Sequence, residues 1–325
     1  MSVCLLNYNG GPFVRGCFEG LRGTRYTPWE LIVVDNASRD GSAELVAAEL
    51  ERFPPSVPTR LLRLDRNLGY AGGHNAGAGQ ARGEFVAFLN MTSQVEPDWL
   101  EIVPWIERQP DVGFAQPLIA DEPERDRIQS LGSRMSLPGR LHIIGRKWRY
   151  DPRPNVGPFG HDVFSVLGAA FVGRRSVFGS LGGFDSSFFM YFEESDLCWR
   201  AWLQGWRSMC WVDPRCQGRV FHRFRGTGPA SLDVERLFDR NQIVSMFQNL
   251  ERRHLPYVVW NGLVVSSELV RHPRTLLRLY SELLQRLPQA ARRRRQVQRE
   301  RRVGDARIFG LTDPAYLPEI GHPPV

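Results

Sequence analysis

Short apolar runs alternate with stretches of helical period along the first hundred residues. Residues 3–8 (VCLLNY) open on four consecutive apolar residues, as a strand buried on both faces requires. Residues 13–23 (FVRGCFEGLRG) then place apolar positions at helical spacing. The alternation continues with a strand over 29–36, a helix over 42–53 and a strand over 59–64. A Gly/Ala-rich helix over 72–82 and a strand over 83–90 complete it. Such a series predicts an α/β fold, a mostly parallel central sheet flanked by helices. Ligands on such sheets sit at the carboxyl ends of the strands. Here those ends carry the polar segments 7–11, 35–38, 65–70 and 90–93, so one edge of the sheet reads as a site.

From about 120 to 162 the pattern loosens into charged, Pro- and Gly-rich sequence and reads as an insertion on the acceptor side of that site. Order returns over 164–175, 182–206 and 207–213, then in a helix over about 233–253. From Leu255 onward the tail is amphipathic and ends in RRRRQVQRERR (292–302).

Composition narrows the classes. The 325 residues are 42% hydrophobic and 24% charged, which suits a globular chain with an ample core. The net charge is +7, and with Lys147 the single lysine it is almost all arginine. No nucleic-acid recognition motif accompanies that charge, so a nucleic-acid partner is not expected. Five cysteines, Cys4, Cys17, Cys198, Cys210 and Cys216, include no C-x-x-C pair and no zinc ligand set. A reduced, cytoplasmic protein without a leader peptide is the expectation. The longest apolar run, 257–270, is interrupted by Asn261 and Glu268 and is too short to span a bilayer.

Four segments carry the chemistry: LLNYNG (5–10), VVDNAS (33–38), RNLGYAGGHNAG (66–77) and GGFDSSFFMYFEESDLCWR (182–200). Taken singly, Asp35 reads equally as a helix cap, and the glycines of 66–77 as tight helix–sheet packing. Glu193, Glu194 and Asp196 read as carboxylates favoured by a helix N-terminus. In this order and spacing, with LGAAFVGRR (167–175) and the later RVFHRFRGTG, they resemble inverting family 2 glycosyltransferases of the rhamnosyltransferase-like branch.

That resemblance covers roughly residues 2–250 and implies a GT-A fold binding a nucleoside-diphosphate sugar, with dTDP- or UDP-linked donors first to consider. It implies a domain over 1–250, split into a nucleotide-sugar half (1–117) and an acceptor half (118–250). A basic helical extension over 251–325 follows. Asp35 takes the position of the acid that receives the N3–H of uracil or thymine. Asn7, Asn9, Asn67, Gly69, Tyr70, Gly73, Asn75, Asn90 and Thr92 would border the nucleotide sugar, and His222 with Arg223 its diphosphate. Glu194 takes the general-base position, with Glu193 and Asp196 orienting it or the acceptor. The implied acceptor is a hydroxyl of a glycan or polyprenyl-linked glycan in cell-envelope polysaccharide synthesis.

One position departs from the family. Where its members read Leu-Asn-x-Asp, FLNMTSQVEPDWL (88–100) puts Thr92 at the ligand for Mg²⁺ or Mn²⁺. Three accounts stand open: arginines such as Arg219, Arg223 and Arg225 stabilise the diphosphate; Asn90 and His222 hold a metal weakly; or the chain is a nucleotide-sugar-binding scaffold without efficient chemistry. The tail is likewise open between an anionic membrane surface, at the inner face of the membrane, and a helix packed on the domain or in a homodimer.

Overall fold

The computed structural model describes residues 1–151, 157–215, 218–223, 231–311, 313 and 321–322. Its first half follows the expected alternation. Strand β1 (Ser2–Asn7) leads into helix α1 (Gly11–Arg22), β2 (Glu30–Asp35) into α2 (Ser42–Leu50), and β3 (Thr59–Arg63) into α3 (Gly69–Ala78). Strands β4 (Phe85–Asn90) and β5 (Ser93–Val95), helix α4 (Ile102–Glu107) and strand β6 (Val112–Pro117) follow. β1, β2 and β4 are buried almost end to end because helices cover both faces of the sheet, which is why they read as continuous apolar runs.

The segment 120–162 is not an irregular insertion. It holds β7 (Ile119–Asp121), β8 (Ile128–Ser130), β9 (Ser133–Ser136), β10 (Arg140–Ile143), β11 (Arg149–Tyr150) and β12 (Phe159–Val163). Strands of two to five residues are shorter than any periodicity window. β12, with sequence FGHDV, is half-exposed at the edge of the main sheet and so lacks an apolar signature. After β13 (Ala170–Arg174) come α5 (Arg175–Ser180), α6 (Glu193–Leu203), β14 (Arg207–Val212) and β15 (Val220–His222).

The main sheet runs β12-β14-β6-β13-β4-β1-β2-β3; six of these strands are parallel, while β13 and β12 run against their neighbours. A second sheet, β5-β15-β7-β8, stands beside the tip of β4. Its register pairs His222 with Ser93, and the Arg223 N–H donates to the Thr92 carbonyl at 3.1 Å. Residues some 130 apart in sequence thereby meet at one sheet edge.

Four helices complete the chain: α7 (Ser231–Asn249), α8 (Pro256–Leu269), α9 (Pro273–Glu300) and α10 (Asp305–Phe309). α7 and α9 pack against each other and against α6, so the sequence boundary near 250 is crossed by a continuous core. The arginine run is partly structural. Arg294 donates to the carbonyls of Phe247 and Leu250, and Arg301 to that of Asn249, at the carbonyl end of α7 where positive charge is favoured. Trp199 and Trp202 of α6 are core. Cys4, Cys17, Cys198 and Cys210 are buried free thiols; Cys216 lies outside the described residues.

Candidate active site

Two cavities lie along the strand tips. The first, about 740 Å³, is bordered by Tyr8, Asn36, Asn67, Gly69, Thr92 and, from the far side, residues of α7 and α9. The second, about 630 Å³, is bordered by Gly168, Glu193, Glu194, His222 and Arg223. They share Tyr70, Asn90, Thr92 and Met190, so the two volumes meet over the end of β4.

The floor of the first cavity is a network of short polar side chains. Asn7 is fully buried, and its amide donates to Asp35 Oδ1 at 2.8 Å and to the hydroxyls of Ser38 and Ser42. Asp35 also accepts from the Ser38 N–H, which ties the tip of β2 to the turn after it. Asn9 receives the Arg39 N–H in the same way. These three brace the loops, while the neighbours Tyr8, Gly10 and Asn36 form the lining. Asn36 donates to Asn67 Oδ1 (2.9 Å) and to the Gly69 carbonyl, and accepts from the Leu68 N–H, fixing the turn into α3. Gly69 has φ +70°, and a Cβ there would lie 2.1 Å from the Phe189 carbonyl oxygen, so only glycine fits.

Several expected lining residues prove to be packing. Gly73 makes room for Leu6, and Asn75 grips the backbone of Phe184 in both directions, which holds the GGFD turn rather than a ligand. His74 is sealed among Tyr70, Phe88 and Phe184, and burial pulls its pKa down to about 3.

The loop before α6 is strained into place. Phe189, Tyr191 and Phe192 all have φ near +70°, which is unfavourable for residues bearing a Cβ. The Asn241 amide of α7 holds them, donating to the carbonyls of Phe188, Met190 and Tyr191. No motif singled out Asn241, because its role exists only once α7 lies against the loop. α6 then begins at Glu193.

The acidic trio is divided by the helix. Glu193 and Glu194 line the second cavity, where the Gly168 N–H donates to Glu194 Oε1 at 3.3 Å and Glu194 Oε2 has no partner among the described residues. Burial raises the pKa of both, and for Glu193 the neighbouring Glu194 charge adds to it. The pair titrates as a unit holding less negative charge than two free carboxylates. Tyr70 caps this pocket, its hydroxyl donating to the Gly168 carbonyl at 2.7 Å.

Asp196 does not reach either cavity, which corrects the expectation that it orients the base or the acceptor. It is fully buried between α6 and α7. There it accepts from Arg200 Nε at 2.8 Å, Ser245 Oγ at 2.9 Å and Asn249 Nδ2 at 3.0 Å.

His222 is buried, and burial lowers its pKa to about 4, so the ring is neutral. Gln129 directs its amide nitrogen to Asp121 and its oxygen to His222 Nδ1 at 2.7 Å. Nδ1 therefore carries the proton, and Nε2 keeps its lone pair. That nitrogen suits a metal, yet its companions do not. Asn90 and Thr92 are neutral, and a Mg²⁺ or Mn²⁺ site asks for anionic oxygen. The protein groups at this position do not by themselves make a divalent-metal cage. Glu251, His254 and Asp305 cluster near the α7–α8 turn, but Arg253 and Arg301 already neutralise those carboxylates. Of the arginines considered for the diphosphate, Arg219 is held by both oxygens of Glu96, Arg223 is exposed at the second cavity, and Arg225 lies outside the described residues.

Residues 2–196 match the family described as Glycosyl transferase family 2. Over 229 residues the chain is 29% identical to N-acetylglucosaminyl-diphospho-decaprenol L-rhamnosyltransferase of Mycobacterium tuberculosis, covering 64% of this chain and 72% of that protein. The mannosyltransferase PcManGT from Pyrobaculum calidifontis, solved with GDP-Man and Mn2+, has a TM-score of 0.56 at 16% identity, over 89% of this chain and 76% of its own. GalNAc-T7, solved with UDP, GalNAc and Mn2+, has a TM-score of 0.58 at 17% identity over 78% of this chain, which spans 48% of that protein. At such identities the two structures establish the shared fold alone. Since the family match runs from β1 through the acidic trio of α6, the chain belongs to glycosyl transferase family 2 and has the GT-A fold.

Proposed function

We propose that this glycosyltransferase moves a sugar, with inversion, from a nucleoside-diphosphate donor in the strand-tip cavity to a hydroxyl in the adjoining cavity. The observation that carries the reading is Glu194: a carboxylate with one oxygen unpartnered among the described residues, lining the second cavity where it meets the first. In the proposed step the acceptor oxygen bonds to the anomeric carbon as its proton passes to Glu194. The bond from that carbon to the phosphate oxygen breaks, and the diphosphate leaves with the electron pair. The base would lie over the tips of β1 and β2, where Asp35 holds the position of the family's base-binding acid and, braced by Asn7, lies just beneath the lining residues Tyr8 and Asn36. Asn67, Gly69, Tyr70, Asn90 and Thr92 would border ribose and diphosphate. A divalent ion would reach this site only with the donor's own phosphates, with His222 Nε2 as its protein nitrogen.

The name of the Mycobacterium relative makes L-rhamnose the first sugar to try, from dTDP, and a glycosylated polyprenyl diphosphate the first acceptor class. The test is transfer from dTDP-rhamnose, then from UDP- and GDP-sugars, to a lipid-linked GlcNAc acceptor, with the product's anomeric configuration read by NMR. Inverted product is expected. Retained configuration, or donor binding without transfer by any of them, contradicts the reading; activity appearing only in Thr92→Asp supports the scaffold account instead.

A lipid-borne acceptor fits the outer face of α8 and α9. On α9, Leu276, Leu279 and Leu283 pack inward, while Leu277, Tyr280, Leu284 and Leu287 form a second stripe facing outward. On α8, Val259, Trp260 and Leu263 are likewise more than half exposed. With Arg271 and Arg274 exposed between the helices, this apolar and cationic face suits an anionic lipid surface. Among the described residues no helix is long and apolar enough to cross a membrane. Sedimentation with phosphatidylglycerol vesicles should pellet the protein, and Trp260→Ser with Leu263→Ser should leave it in the supernatant. Equal binding to phosphatidylcholine, or no binding, contradicts this.

A further inference from the structure

The family match ends at Asp196, yet one wall of the strand-tip cavity is built later in the chain, by α7 and α9. That wall carries Arg236, Arg240, Arg278 and Arg286 against only two carboxylates, Asp233 and Glu282. We propose that this arginine wall, with Arg286 as its uncommitted guanidinium, is the subsite for the donor's diphosphate. It would supply the positive charge that Thr92 and Asn90 do not. The proposal rests on the reading of the strand-tip cavity as the donor site and adds what neutralises the leaving group there.

The charge distribution of the wall supports an anion. Glu282 is divided among three guanidiniums: its Oε2 accepts from Arg236 at 2.5 Å and from Arg240 at 2.8 Å, and its Oε1 from Arg278 at 3.2 Å. Asp233 adds only longer contacts, at 3.3 Å to Arg236 and 3.5 Å to Arg278, so two carboxylates face four guanidiniums, each with five N–H donors. Arg240 spends its remaining donors on Asn241 Oδ1 and the Phe188 carbonyl, so its place is structural. Arg236 is only 3% exposed and its Nε has no acceptor among the described residues. A buried, unmet cationic donor at a cavity wall is an unfavourable arrangement unless an anion completes it. Arg286 stands one helical turn beyond Glu282 on α9, half-buried, and makes no hydrogen bond or ion pair among the described residues. Burial and the Arg236 charge both act against it, with Glu282 and Asp185 only partly compensating.

The opposite wall is neutral. Asn36, Asn67, Thr92 and the Gly69 backbone present amides, a hydroxyl and peptide groups. A nucleoside diphosphate held between the walls would set its sugar and base against neutral hydrogen-bonding groups and its phosphates against guanidiniums, whose planar fork matches phosphate oxygens. Developing charge on the leaving diphosphate would then be met by fixed cations.

The experiment is calorimetric titration of dTDP and UDP, and of thymidine and uridine, in EDTA. It uses the whole chain and the variants Arg286→Gln and Arg286→Lys. Diphosphate binding should persist in EDTA. Arg286→Gln should weaken it about 10- to 100-fold, the loss of one or two charge-assisted hydrogen bonds, while nucleoside affinity stays unchanged. Arg286→Lys should recover part of the loss. Unchanged diphosphate affinity in Arg286→Gln overturns the proposal, and so does wild-type diphosphate binding that EDTA abolishes. If the wild-type chain binds neither nucleosides nor nucleoside diphosphates, with or without Mn²⁺, the donor-site reading itself falls, a result distinct from either.

Discussion

Glu194→Gln should lower kcat by about 10²- to 10⁴-fold, the range ascribed to a lost general base, with donor affinity unchanged. The glutamine preserves shape and can still accept from the Gly168 N–H, so the change removes proton affinity and little else. Donor affinity should survive because the residue lines the second cavity, not the first. The wild-type pH profile supplies a second readout. The base must be ionised, and burial raises its pKa, so the acid limb of kcat should lie above the ordinary glutamate range and vanish in the variant. A variant with full kcat would remove Glu194 from the chemistry.

Asp196→Asn should instead reduce stability, by about 3–5 kcal/mol, the range for breaking a buried ion pair from one side. Arg200 is 4% exposed and would keep its charge, with the carbonyls of Leu181 and Gly183 as its remaining acceptors. Urea unfolding of the two variants should separate them. Glu194→Gln should be as stable as the parent or more so, since a half-buried carboxylate whose buried Oε2 has no partner among the described residues opposes folding when ionised. The pH dependence has a definite sign. Although burial opposes it, Arg200 and then Arg293 hold the Asp196 pKa below its usual value. Its contribution is therefore complete above the unfolded aspartate pKa and is lost as pH falls through the lower folded value. A stability loss under about 1 kcal/mol in Asp196→Asn would contradict the buried pair.

These two acids show where sequence reading stops. All three members of the trio open one helix, and composition cannot rank them. Residues two apart on a helix point about 200° apart, so Glu194 and Asp196 could not both face one cavity. Spacing alone carries that inference; that Glu194 is the one turned to the cavity is legible only from its position in the family motif. The strands β1, β2 and β4 were legible because burial on both faces demands unbroken apolar runs. The strands between 120 and 162 were not, being short, polar and defined by partners far away, as when β15 pairs with both β5 and β7. The roles of Tyr8, Asn36 and Asn241 are hidden in the sequence for a related reason. Their roles depend on which neighbour turns toward the cavity and which braces the loop. The arginines of α9 read only as an amphipathic tail, and those of α7 only as part of a helix, until packing set them around one cavity with Thr92.

The most direct test is a crystal structure of Glu194→Gln with an intact nucleoside-diphosphate sugar. Density for the base over the tips of β1 and β2, with the anomeric carbon turned toward residue 194 across Tyr70 and Thr92, is the predicted result. A donor lodged elsewhere, or one whose sugar points away from the second cavity, would contradict the account.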